Sequence, residues 1–254
     1  MTAPIELPII FHDEHLIAIH KPSGLLMHRS PISRDTVFVL QTLRDQIGQH
    51  VYPIHRLDRA TSGVVLFGLS SEMAQAVVQQ FEQRTVDKEY RALARGWVNE
   101  AGTIDHPVAD EEGNNIAQDA ITHYQCLNQV ELPVAVDRYP SSRYSLVSVS
   151  PETGRRQQIR KHFKHISHQL IGDTTHGNGK HNRFFRDQYN IHRLMLTSHK
   201  LCFDHPVSQE RICLRAKPET EWERLFRDFD WHDVNQGKRL YSHGKTKTPS
   251  RPLQ

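Results

Sequence analysis

The chain has 254 residues, 37% hydrophobic and 24% charged, with a formal net charge of +3. That is enough apolar material for one large domain or two small ones, and it excludes a disordered or fibrous chain. No apolar run approaches the ~18 residues of a membrane span, and the N-terminus lacks a basic segment followed by a small-residue cleavage site, so no secretory signal is read.

In chain order, IIFHDEHLIAIHKPSG (9–24) predicts two short strands around a polar turn at His12-Asp13-Glu14, with Pro22-Ser23-Gly24 ending the second. HRLDRATSG (55–63) precedes VVLFGLS (64–70), an apolar run suited to a buried strand. A helix follows, capped by Ser70 or Ser71, with Ala74, Val77, Val78 and Phe81 on one face. KEYRALARGWV (88–98) predicts a strand closed at Gly96, and the polar, turn-rich residues 99–120 predict a loop or small excursion. YSLVSVS (144–150) predicts a strand ending at Pro151. In TGRRQQIRKHFKHISHQL (153–170), Ile159, Phe163, Ile166 and Leu170 give an amphipathic helix, on which Arg156, Arg160 and Lys164 form one row. GDTTHGNGKH (172–181) reads as a structural glycine-rich loop. HRLMLTSHKLCFDHP (192–206) and ERICLRA (210–216) are strand candidates, and TEWERLFRDF (220–229) is a short helix. The class is α+β, because strands and short helices mix without regular βαβ alternation. Residues 1–235 are expected to form a single domain, and the basic segment 236–254 a disordered tail.

The chemistry is narrowed by what is missing. The glycine-rich loop fails the Walker pattern, since His181 follows Gly179-Lys180, and GNGKHN fails G-x-G-x-x-G at Asn182, so no nucleotide cofactor is expected. His162, His165 and His168 lie on or beside the basic segment, but no H-E-x-x-H is present, and no metal is expected. No G-x-S-x-G supports a serine hydrolase. Cys126, Cys202 and Cys213 are odd in number and widely spaced, which fits a reducing cytoplasm and argues against a disulfide framework. What remains is Asp58 between Arg56 and Arg59, an acid whose arginine neighbours hold it ionised, and an ionised carboxylate serves as nucleophile or base rather than acid. Basic clusters at 155–164 and in the tail point to a polyanion partner.

HRLDRATSG resembles the catalytic motif of the RluA-type pseudouridine synthases, H-R-L-D followed by two residues and T-S-G. DEHLIAIHKPSGLLMH, DKEYRALARG, ETGRRQQIRKH, IGDTTHG and HRLMLTSHKLCFDHP resemble further segments of that family, in order, over residues 9–215. The resemblance implies the pseudouridine synthase fold, a largely antiparallel sheet flanked by helices and loops with a central RNA-binding cleft. It implies isomerisation of uridine to pseudouridine without a cofactor. Carried over by position, Asp58 is the catalytic aspartate, and Arg56 enters the RNA stack in place of a flipped nucleotide. Tyr90 lies against the target base and is a candidate proton acceptor at C5, and Arg160 pairs with Asp58. Arg156, Lys161 and Lys164 are left to the phosphates. The compact opening, without room for an added N-terminal RNA-binding domain, is most similar to members acting on tRNA at uridine 65, at the base of the T stem; a cytoplasmic monomer is expected. Ribosomal RNA is the alternative target, and a non-catalytic RNA chaperone or a metal-dependent hydrolase the alternative class. Two departures from the family pattern, Arg156-Gln157 for Thr-His and Leu196-Thr197-Ser198 for Leu-His-Ala, are expected to bear on substrate contacts without touching the catalytic residues.

Overall fold

The computed structural model describes residues 5–29, 35–109 and 116–231. The tail expected at 236–254 lies outside the described residues. The chain divides into two compact units. One runs up to Tyr90 and resumes at Thr197–Lys217; the other holds Arg91–Leu196 and the residues from Pro218 onward.

The elements in chain order are β1 (Ile9–His12), β2 (Leu16–Lys21), α1 (Val39–Ile47), β3 (Tyr52–Pro53), β4 (Ser62–Gly68), α2 (Ser71–Glu82) and β5 (Asp87–Arg95). There follow β6 (Ala101–Asp105), β7 (Val108–Ala109), β8 (Ala117–Gln118), β9 (Ile121–Leu132), β10 (Ser142–Pro151), α3 (Gln158–His165) and α4 (Gly179–Tyr189). Last come β11 (Leu196–Asp204), β12 (Arg211–Arg215) and α5 (Thr220–Asp228). This is α+β, mostly antiparallel, with five helices among the described residues.

In unit one the strands run β1-β2-β4-β11, with β3 on β4 and β12 on β11. The β4–β11 pairing is parallel, while β1–β2, β2–β4, β3–β4 and β11–β12 are antiparallel. β2 and β4 are buried on both faces. Leu16, Ala18, Val64 and Leu66 point into one core, which α2 covers with Ala74 and Val77. Ile17, Ile19, Val65 and Phe67 point into a second, which α1 covers with Val39 and Leu43. Two-sided burial is why these strands read as continuous apolar runs, not alternating ones. Each fully buried side chain of this size contributes ~1.5–3 kcal/mol. The α2 cap is Ser70, whose Oγ accepts from Met73 N at 3.2 Å.

Unit two holds β10, β9 and β6 beside the Arg91–Arg95 end of β5, in the order β5-β10-β9-β6, and β7 pairs β8 as a separate ribbon. Its core gathers Leu93, Tyr144, Leu146, Phe185, Tyr189, Trp222 and Phe229 from strands, α4 and α5.

Several expectations need correcting. Residues 99–120 contain β6, β7 and β8, because β6 finds a partner in β9 from Ala101↔Gln125 to Asp105↔Ile121. The helix expected over 153–170 is confined to Gln158–His165. Gln157 takes a left-handed conformation (φ 56°), and Gln158 Oε1 turns back to accept from Thr153 Oγ1 at 2.7 Å and Arg155 N at 3.0 Å. Arg156 therefore lies off the helix, and the row Arg156–Arg160–Lys164 does not exist as a helical row. α4 begins inside the expected loop, capped by Asn178. Cys202 and Cys213 form a disulfide, against expectation, since β11 and β12 bring them directly opposite each other. Spacing alone did not reveal that register.

Candidate active site

HRLDRATSG opens with a fixed histidine. His55 Nε2 accepts the amide of Leu66 at 3.1 Å, and its ring stacks on Phe81. Burial and then the charge of Lys88 push its pKa down to about 4, so His55 is neutral and anchors the loop to β4. The loop then alternates. Arg56 is exposed, Leu57 is buried in the core under α1, and Asp58 is half-buried.

The main chain after Asp58 is clamped to the Pro22–Leu25 loop. Lys21 is fully buried, and its Nζ donates to the carbonyls of Pro22 (2.9 Å), Leu25 (2.7 Å) and Arg59 (3.1 Å). The amide of Gly24 donates to Arg59 O, and Ser23 Oγ to Ala60 O. Arg59 returns the contact from Nε to Gly24 O and pairs through Nη2 with Asp35 at 3.0 Å. Arg59 is thus a structural residue of this loop. The turn closes with Thr61 N donating to Asp58 O. Gly63 has φ 110°, and a Cβ there would lie 2.2 Å from the carbonyl oxygen of Ser198, so no other residue fits between β4 and β11.

Tyr90 packs against the same core as Leu57. Burial first, and then the negative charge of Asp58, push its hydroxyl up to about 12, opposed by a hydrogen bond with the Ser198 side chain. Asp58 and Tyr90 are thus brought together in unit one, with Ser198 as a third member. The expectation that Leu196-Thr197-Ser198 would not touch the catalytic residues is corrected: parallel pairing with β4 sets Ser198 opposite Gly63 and within reach of Tyr90.

In unit two, Arg160 is almost fully buried and grips Asp173 through both edges, Nε to Oδ2 and Nη2 to Oδ1, each at 2.7 Å. The amides of Thr175 and His176 also donate to Asp173 Oδ1. Burial alone would raise this carboxyl, but the Arg160 and His176 hydrogen bonds and the Arg160 charge more than offset it and hold it below the usual range. Gln157 Oε1 accepts from His176 Nε2–H at 2.7 Å, which places the Arg156-Gln157 departure one residue from this cluster. Lys161 Nζ donates to Ala109 O at 2.5 Å, Lys164 is exposed, and Arg156 is half-buried. His162 bonds His106 O, His165 stacks on His106, and His168 bonds Arg95 O. Among the described residues no three His, Cys, Asp or Glu side chains are grouped to hold a metal ion.

Sequence reasoning gave no role to Lys21 or Asp173 and named Ser198 only as part of a departure from the family pattern. Lys21 and Asp173 stand inside recognised segments, KPSG and IGDTTHG, which was a signal of place but not of role.

Comparison with known proteins gives a consistent result. Residues 15–165, more than half the chain, match the family model described as RNA pseudouridylate synthase. The chain is 44% identical over 241 residues to the tRNA pseudouridine synthase C of Vibrio parahaemolyticus, covering 91% of this chain and 98% of that one. It is 46% identical to the protein of the same name from Yersinia pestis, covering 90% and 93%. Human RNA pseudouridylate synthase domain containing 4 shares the fold, with a TM-score of 0.67 at 22% identity, over 87% of this chain and 92% of that chain.

Proposed function

The chain belongs to the RNA pseudouridylate synthase family, and we propose that it converts one uridine of tRNA, uridine 65 at the base of the T stem, to pseudouridine. The observation that carries the reading is the Asp58 carboxylate beside the Tyr90 phenol, on a loop held by main-chain bonds. The names of the relatives support tRNA as the substrate class.

The target base must leave the stack before its C1′–N1 bond and C5 are both reachable, at a cost of a few kcal/mol. Arg56, exposed on the loop, fills the gap with a planar guanidinium that stacks on the neighbouring bases. Tyr90 supplies a face for the extruded uracil, worth ~1–3 kcal/mol. The Asp58 carboxylate then acts at the sugar or the base, the C1′–N1 bond breaks, the uracil turns, and C5 joins C1′. The C5 proton must leave at the end. Tyr90 carries its own proton at neutral pH, so as acceptor it takes the C5 proton while its own passes, through solvent, to N1, which the broken C1′–N1 bond leaves needing a proton. Arg160, aligned by Asp173, is proposed as the cationic partner of Asp58, and Arg156, Lys161 and Lys164 as phosphate contacts. The setting is proposed to be the cytoplasm; no helix among the described residues is long and apolar enough to cross a membrane.

The test is mapping of pseudouridine in a tRNA transcript after incubation with the protein, with ribosomal RNA in parallel. Modification confined to position 65 is expected. Modification of ribosomal RNA alone would refute the tRNA reading.

A further inference from the structure

Unit two carries a second basic feature that the isomerisation does not use. A cavity of about 750 Å³ is lined by Arg95, Trp97, Asp137, Arg138, Tyr139, Arg143 and neighbouring residues. That volume suits a ligand the size of one nucleotide.

At its wall, Arg95 Nε donates to His181 Nε2 at 3.1 Å, and Nη1 to Gln169 Oε1 at 3.3 Å. A guanidinium has no acceptor, so His181 Nε2 must be the unprotonated nitrogen, and Nδ1–H faces Tyr144 Oη at 2.8 Å. Burial, then the Arg95 charge, push the His181 pKa down to about 4. Both hydrogen-bond partners of Arg95 are therefore neutral. The lining acid, Asp137, is bonded to Lys180 at 2.5 Å. Above, Arg138 lies 4.8 Å from the exposed Tyr139 ring, and Arg143 lies 4.1 Å from the Trp97 ring while it pairs with Glu131. After these pairings, Arg138 and Arg95 are the cavity cations with no hydrogen bond to a carboxylate among the described residues, although the charge of Arg95 also acts on the neighbouring Asp137.

The backbone around Arg95 is rigid. Its amide donates to Gln169 O and its carbonyl meets His168 Nδ1, while Gly96, at φ 83°, donates to Arg143 O at 2.7 Å. A half-buried guanidinium on neutral partners is complementary to an anion. A guanidinium stacked on an exposed aromatic ring is a platform for an unpaired base.

We propose that this cavity is an RNA subsite: it holds one nucleotide of the substrate away from the reacting uridine, with its phosphate on Arg95 and Arg138 and its base against Tyr139. The assignment rests on RNA being the substrate.

The test measures affinity for a tRNA transcript across a salt series, together with kcat and KM by tritium release from C5-labelled uridine. Arg138→Ala is expected to lower the slope of log affinity against log salt by about one and to raise KM, with kcat within about twofold of wild type. Tyr139→Ala is expected to raise KM about tenfold with the slope unchanged. Both residues are exposed, so folding is preserved. Arg95→Gln is expected to repeat the Arg138→Ala result. Arg227→Ala, on α5 and paired with Asp228, is the charge control and should leave the slope alone. Wild-type slope and KM in both Arg138→Ala and Tyr139→Ala would overturn the subsite, as would an equal slope change in Arg227→Ala. A wild-type protein that shows these slopes yet releases no tritium would overturn the catalytic reading and leave the subsite supported.

Discussion

Unit one and unit two hold their charged centres by opposite means. In unit one the loop bearing Asp58 is fixed through its backbone, by Lys21, Gly24 and Ser23 bonding carbonyls on either side of the turn. In unit two Arg160 is fixed through its own side chain, by a bidentate pair with Asp173 that two amides orient. Backbone clamping sets the position of a loop through its main chain, so the loop presents Arg56 at the surface. Side-chain clamping gives a more rigid cation but makes the acid beneath it indispensable.

The contrast is broken most severely at Asp173. Asp173→Ala leaves the Arg160 charge buried without its carboxylate and is expected to cost ~3–5 kcal/mol, read as a lower denaturant midpoint. The matching change in unit one is Lys21→Met, which strands three carbonyls near a buried position. About 3 kcal/mol of stability should be lost, and activity per folded molecule should also fall because the loop loosens. Activity that merely tracks the folded fraction would remove Lys21 from the account of the site. Tyr90→Phe keeps the ring and removes the hydroxyl; a drop in kcat of ~10² with KM near wild type is expected if that hydroxyl moves the C5 proton.

The smallest effect is one the units share. His55 in unit one and His181 in unit two both have pKa values pushed from 6.5 down to about 4 by burial. The unfolded chain binds the proton more readily, so their contribution is fully present above pH 6.5 and is lost as pH falls towards 4. Each is expected to remove ~2 kcal/mol at pH 5 relative to pH 7. Denaturation at the two pH values checks this, and His55→Gln should flatten the dependence by one histidine's share.

How much of this was legible in the sequence depends on the distance over which each feature is determined. The strands around His12-Asp13-Glu14, the β4 run and the α2 face were legible because apolar period and cap residues are local. The α1 helix was not, since Phe38 gives it no capping side chain and only Val39 and Leu43 are buried. β9 was not either, because polar residues such as Gln125, Asn128 and Gln129 dilute its pattern. The α3 start was misread because the left-handed Gln157 follows from the Thr153–Gln158 contact, which periodicity does not encode. HRLDRATSG marked Asp58 as the candidate acid from sequence alone. Its surroundings were not legible: Lys21 and Ser198 reach the loop and Tyr90 only through the β2–β4–β11 register.

The most direct measurement is tritium release from tRNA labelled at uracil C5, with wild type compared with Asp58→Asn at matched, folded concentrations. The account predicts release with wild type and none with Asp58→Asn, while the affinity of the variant for the same RNA stays within a few-fold. Release by Asp58→Asn at a rate near wild type would contradict it.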